Sequence, residues 1–188
     1  KKIAGMGAMV HPNGVAFRVW APHTESIRVI GQFNDWNEES NFMEHEENGY
    51  WYTDIPNAKA GQEYKYLITN GELRLPRRDP YARQVTNSVG NSVIYDPASF
   101  NWDGDAYHLP PLNELVIYEL HIGSFFAEEG CAGDFSNAAE KFSHLRNLGV
   151  NVIQVVPVAE FAGDFSWGYN PSDIFTVESA YGGPDAYK

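Results

Sequence analysis

Two tryptophans set among turn-forming and polar residues are the side chains of the first half of the chain best suited to hold a flat, hydroxylated ligand. They are Trp36, in Gly31-Gln32-Phe33-Asn34-Asp35-Trp36-Asn37, and Trp51, in Gly49-Tyr50-Trp51-Tyr52. The axial C–H face of a glucose ring stacks on an aromatic face, while amide and amine groups bond its hydroxyls. Lys65 and Asn91 are of the right types to be those partners. Both tryptophans also admit a packing role, since Trp51 alternates within a strand-like run and Trp36 could close one end of a sheet. The 6 histidines are scattered without metal-ligand spacing, and Cys131 has no histidine near it in sequence to activate its thiol. No metal and no cofactor are expected.

The elements that must position these residues fall into two kinds. From Gly14 to about Tyr95, short alternating runs are separated by Gly, Pro, Asn and Asp, and no helical period interrupts them. Val15, Phe17 and Val19 alternate with Ala16, Arg18 and Trp20. Further strands are expected over 27–30, 50–55, 63–69 and 92–95, with short ones near Phe42 and Leu73, and Asn70-Gly71 is a hairpin turn. That is roughly seven strands in an immunoglobulin-like length, so an all-β sandwich is predicted over 1–95. Residues 96–111 show neither period and end in Pro110-Pro111, which marks a linker.

From 112 the pattern changes to strand, helix, strand. Leu115 to Ile122 reads as a strand, and Asn137 to Leu148 as a helix with Ser136 at its start and Gly149 at its end. Val150 to Pro157 reads as a β-branched strand buried on both faces. Glu119 and His121 share one face of the first strand and read as buried polar partners. A long loop containing Trp167-Gly168-Tyr169-Asn170-Pro171 is expected next, and Pro184 to Lys188 has the form of another helix's first turn. One βαβ unit of this kind looks like the opening of a (β/α)8 TIM barrel, which is expected over 112–188 and truncated at Lys188. A barrel begun and not closed exposes backbone edges and apolar side chains, so the piece alone is expected to aggregate or to need the rest of the barrel.

Composition bounds the partners. The 188 residues are 43% hydrophobic and 14% aromatic, as a packed globular chain requires. A net charge of −12 disfavours nucleic acid and anionic membrane and suits a neutral ligand. No apolar run approaches the roughly 18 residues of a transmembrane helix, and one cysteine forms no internal disulfide, so the expected compartment is cytoplasmic.

At this point the strings carry a resemblance. Phe17-Arg18-Val19-Trp20-Ala21-Pro22, the run from Gly31 to Asn37 and Tyr64-Lys65-Tyr66 resemble the family 48 carbohydrate-binding module. The resemblance implies glucan binding by Trp36, Lys65 and Asn91. A second stacking tryptophan, expected after the hairpin turn, has no counterpart, because Glu72-Leu73-Arg74-Leu75 follow Asn70-Gly71. The second part resembles the α-amylase superfamily, glycoside hydrolase family 13, in Val116 to Phe125, in Pro157-Val158-Ala159-Glu160-Phe161 and in Trp167 to Pro171. Within it the strings look closest to 1,4-α-glucan branching enzymes of glycogen and starch metabolism. Hydrolases of the same superfamily, malto-oligosyltrehalose trehalohydrolases or the α-amylase type, come next, and a glucan-binding module without catalysis is the further alternative for this piece.

The resemblance implies that Tyr169 stacks on the sugar beside the cleaved bond, with Trp167 in the same loop, and a tyrosine suits this because it offers an apolar face with a polar tip. Retaining glycoside cleavage needs two carboxyl groups about 5 to 5.5 Å apart. Asp134, Glu160, Asp164, Asp173 and Glu178 are available by type. In this superfamily the catalytic carboxylates come from later strands, so no residue here receives a catalytic role and the piece is expected to be inactive alone. The expected partner is α-1,4-glucan: glycogen, starch or malto-oligosaccharide.

Overall fold

A computed structural model of the chain describes residues 2–163 and 165–188. Its first half contains the strands β1 (Gly7–His11), β2 (Gly14–Trp20), β3 (Ser26–Gly31), β4 (Glu44–His45), β5 (Tyr50–Ile55), β6 (Glu63–Asn70), β7 (Leu73–Arg77) and β8 (Ser92–Val93). They form two antiparallel sheets. One runs β1-β2-β5-β4; in the other, β6 lies between β3 and an edge that β7 and β8 share. β1 and β4 were not anticipated, whereas Phe42 lies on an isolated bridge to Arg28 rather than in a strand.

The period-2 alternation decides what lies between the sheets. Val15, Phe17 and Val19 of β2 meet Ile27 and Val29 of β3 and Tyr64 and Tyr66 of β6 in one buried cluster. Phe17 packs edge-on against Tyr64 with centroids 5.1 Å apart. Each such side chain contributes about 1.5–3 kcal/mol on burial. Trp51 belongs to the same cluster. It is 7% exposed, its Nε1 donates to Ala21 O at 3.0 Å, and His45 stands edge-on to its ring. Trp51 is therefore a core residue and is removed from the ligand-stacking candidates.

At the floor of the sandwich, Asp79 is fully buried and accepts from Tyr64 Oη at 2.6 Å, Tyr66 Oη at 3.2 Å and Tyr81 N at 2.8 Å. Burial holds its carboxyl at about 6, above the usual range, against the lowering effect of these donors.

Residues 96–111 carry no helix or strand. Beyond them come β9 (Ile117–Leu120), α1 (Ile122–Phe125), α2 (Phe135–Glu140), α3 (Phe142–Asn147) and β10 (Val152–Val155). β9 and β10 pair in parallel, Ile117 opposite Val152 and Leu120 opposite Val155. The single helix expected over 137–148 is two short ones. The break is at Lys141, whose N–H turns to Ala138 O in a tighter, three-residue step. The helix start also lies earlier than expected: Asp134, not Ser136, is the cap, its Oδ1 accepting from Asn137 N at 2.7 Å. Gly149 does end α3, at φ +91, a left-handed conformation that costs glycine nothing.

The strand expected to be buried on both faces is only half-buried, with Gln154 exposed and Ile117 across the pair 54% exposed. The reason is that, among the described residues, no third strand borders β9 or β10. The loop expected after Pro157 is in fact a hairpin, β11 (Ala159–Phe161) against β12 (Pro171–Val177), irregular in register on both sides of Glu160. A helix, α4 (Gly183–Tyr187), follows with proline in its first turn, as expected. Leu120, Ile122, Phe135, Ala138, Phe161 and Tyr181 form the second buried cluster.

Candidate functional site

On β6 the core side takes Tyr64 and Tyr66, so Glu63 and Lys65 project from the opposite face. The loop bearing Trp36 leaves β3 at Gly31, which pairs with Tyr64, and Gln32 Oε1 accepts from Glu63 N at 3.0 Å. Asn91 precedes β8, whose Val93 pairs with Glu63, and its Nδ2 donates to Glu63 Oε2 at 2.6 Å. The pairing register thus gathers Trp36, Lys65 and Asn91 at the Glu63 end of β6. Trp36 and Lys65 are half-buried, and among the described residues Lys65 Nζ makes no ion pair. Asn91 is not a free amide, since one of its donors is already held by Glu63.

Trp36 adopts φ 57, and Asp35 before it φ 53. Two consecutive non-glycine residues in the left-handed region cost about 1–2 kcal/mol each, and such strain persists only where the surroundings over-determine it. Asn34 supplies that determination. Its Oδ1 accepts from Gly31 N at 2.9 Å, and its Nδ2 faces Asn41 Oδ1 at 2.7 Å and Val29 O at 3.1 Å. Reading the sequence did not single out Asn34, although an Asn heading a run of turn formers was the available signal.

The second group of aromatics lies in the loop between β11 and β12. Trp167 and Tyr169 are 71% and 74% exposed. Gly168 between them has φ +83, and a Cβ there would come within 2.0 Å of Pro157 O, so only glycine lets the loop pass this close. Trp167 packs on His121 with ring centroids 5.1 Å apart, and His121 bonds Ser166 O through Nε2 at 2.9 Å and Ser124 Oγ through Nδ1 at 2.8 Å. A cavity of about 300 Å³ opens between His121, Gly123, Ser166, Trp167 and Tyr181; Tyr169 does not line it.

His121 makes these contacts half-buried and from just beyond the strand, where a buried partner within it was expected. Glu119 is exposed, and its side-chain hydrogen bond among the described residues is a long one, from Gln154 Nε2 at 3.5 Å.

Three of the carboxylates are buried and committed to backbone and ion-pair duties. Glu160 accepts from Ser179 N at 2.7 Å and Ser179 Oγ at 3.0 Å. Burial, aided by the charges of Glu178 and Asp173, raises its carboxyl to about 7. Glu178 accepts from Phe161 N and Ala180 N, and Asp173 pairs with Arg78. Asp134 is the cap of α2, and Asp164 lies outside the described residues. Among the described residues no group of three or more His, Cys, Asp or Glu could hold a metal ion, and no helix is long and apolar enough to cross a membrane.

Comparison with known proteins bears on both halves. Residues 5–82 match the carbohydrate-binding module 48 (Isoamylase N-terminal domain). The chain is 36% identical to a 1,4-alpha-glucan branching enzyme of Halothermothrix orenii over 93% of its own length and 29% of the relative's. It is 33% identical to a malto-oligosyltrehalose trehalohydrolase of Saccharolobus solfataricus, covering 97% of this chain and 30% of that one. The crystal structure of a putative alpha amylase from Salmonella typhimurium superposes with a TM-score of 0.85 at 30% identity, covering 98% of this chain and 30% of that chain. The chain therefore spans under a third of the length of the proteins it matches, and the matched part is their N-terminal region.

Proposed function

We propose, because residues 5–82 match the carbohydrate-binding module 48 (Isoamylase N-terminal domain), that this chain is the N-terminal part of an α-glucan-active enzyme of the α-amylase superfamily. Its activity is 1,4-α-glucan branching in glycogen metabolism. In this reading 1–95 is the glucan-binding sandwich, 96–111 the connection, and 112–188 the opening β/α units of the catalytic barrel. The observation that carries the choice of activity is the 36% identity to a branching enzyme across 93% of the chain. The parallel β9–β10 pair with helices between its strands is the unit from which a (β/α)8 barrel is built, which supports the second assignment. The single cysteine, exposed at Cys131, suits a reducing cytoplasm.

In the parent enzyme an α-1,4 bond is cut as a carboxylate attacks the anomeric carbon and a carboxylic acid protonates the leaving oxygen. The glycosyl group is then passed to a 6-hydroxyl of a second chain, which releases the enzyme carboxylate. The 188 residues perform neither step, because Glu160, Asp173 and Glu178 are spent on holding β11, β12 and the turn after them. Their contribution is binding. Trp36 stacks on a glucose face while Lys65 and the remaining amide valence of Asn91 bond hydroxyls, and Tyr169 with Trp167 meets the chain near the scissile bond.

Incubating the full-length protein with amylose and following proton NMR tests the activity: new α-1,6 linkages are expected. A rise in reducing ends without them would instead favour the hydrolytic reading, which the trehalohydrolase relative supports. For the sandwich, Trp36→Ala is expected to weaken co-sedimentation with glycogen, and unchanged co-sedimentation would remove the assigned surface.

A further inference from the structure

We propose that Asn34 is a positioning residue for glucan binding, which holds the indole of Trp36 in place before the ligand arrives; the inference rests on Trp36 being the stacking residue. One side chain ties both ends of the loop that carries Trp36. Toward its entry, Asn34 Oδ1 accepts from Gly31 N at 2.9 Å and Nδ2 reaches Val29 O at 3.1 Å. Toward its exit, the same Nδ2 meets Asn41 Oδ1 at 2.7 Å and Ser40 Oγ at 3.1 Å. Inside this closure Trp36 N donates to Gly31 O at 2.9 Å and Asn37 N to Asn34 O at 3.0 Å.

The tip enclosed by these bonds is Asp35 and Trp36, both left-handed. Without the tie, the two backbone bonds must hold that conformation against the tendency of a non-glycine backbone to relax out of it. The loop would then populate several arrangements, and a glucan would have to select the one that presents the indole. Among the described residues no hydrogen bond joins Ser40 or Asn41 to Trp36, so the influence runs through Asn34 to the loop backbone.

Asn34→Asp tests this, because it keeps the size and the acceptor for Gly31 N and turns both amide donors into a charge facing Val29 O and Asn41 Oδ1. Maltoheptaose binding to the 188-residue chain, in samples that light scattering shows to be free of aggregate, is measured by calorimetry, well below the unfolding midpoint of each variant. The affinity is expected to fall about tenfold, the usual size of an ordering cost moved into the binding step. In a Trp36→Ala background the same substitution is expected to change nothing further, because Asn34 acts through that ring. With fluorotryptophan, the Trp36 resonance is expected as one line in the native chain and as several, or one broadened line, in Asn34→Asp.

Wild-type affinity in Asn34→Asp overturns the inference, and so does an equal loss in both backgrounds, which would mean that Asn34 acts on the fold at large. Wild-type affinity in Trp36→Ala overturns the binding surface itself together with this inference. If Asn34→Asp does not fold, Asn41→Gly carries the same test. It removes the Oδ1 acceptor and leaves residue 41, at φ 53, unstrained. A loss of affinity that vanishes in the Trp36→Ala background is expected from it, and no loss overturns the inference.

Discussion

Arg78 Nη2 lies 2.8 Å from Asp173 Oδ2, joining the segment after β7 to β12 across 95 residues of chain. The two side chains are 20% and 7% exposed, so this is a largely dehydrated pair rather than a surface contact. Neighbouring contacts follow the same seam. Thr176 Oγ1 donates to Ala82 O at 2.7 Å, and the rings of Tyr81 and Phe175 stack with centroids 5.4 Å apart. The strand that follows the Trp167–Tyr169 loop is therefore held by the sandwich.

Arg78→Ala is expected to destabilise the chain by about 3 kcal/mol, because it leaves the buried carboxylate of Asp173 without its cation. Urea unfolding measures this. Replacing Asp173 as well, with Asn, is expected to recover part of the loss.

Trp36 and Trp51 are expected to separate in their effects. Trp51→Ala empties a site in the sandwich core and should cost about 3–5 kcal/mol in denaturant unfolding. Trp36→Ala, which removes a half-buried ring from a strained tip, should cost far less stability and instead weaken glucan binding to a level that calorimetry still measures.

The pH dependence of stability follows from two buried acids whose carboxyls are raised on folding, Asp79 to about 6 and Glu160 to about 7. A raised carboxyl means that the folded chain holds the proton more tightly than the unfolded one. The stabilisation is thus full below the unfolded values near 4 and is lost as pH rises through the folded ones. The melting temperature is expected to rise as pH is lowered from 8 toward 5. Glu160→Gln, whose amide still serves Ser179, should flatten the part of this slope above pH 6, and calorimetric scans across the range would read it.

Gly168→Ala is expected to displace the loop that carries Trp167 and Tyr169. The added methyl meets Pro157 O, and the left-handed backbone alone costs about 1–2 kcal/mol. Faster amide exchange over 165–170, with the sandwich unchanged, is the expected signature.

Much of this architecture can be read from local pattern. The alternation of Val15, Phe17 and Val19, and of Tyr64 and Tyr66, identifies the inner faces of β2 and β6, because a side chain's face along a strand depends only on its parity. The Asn70-Gly71 turn, the glycine stop at Gly149 and the proline-led α4 are equally local, each needing one residue with one backbone preference. β11 and β12 were missed because a three-residue strand and a proline-headed one carry no period; they form through Glu160, Ser179 and the sandwich seam. The same holds for the helix break at Lys141.

By itself the sequence determined the β-module, the later βαβ order and the residue types able to meet a sugar. Only the tertiary structure decided where they lie: Trp51 lies between two sheets, Trp36 is half-buried on a loop tied by Asn34, and Asn91 shares its amide with Glu63. Parity and turn preference are properties of neighbours in the chain, whereas what covers a face, and which carboxylate meets which donor, depends on segments that are distant in sequence and meet only on folding. Tyr64 and Asp79, buried together at the floor of the sandwich, meet in this way.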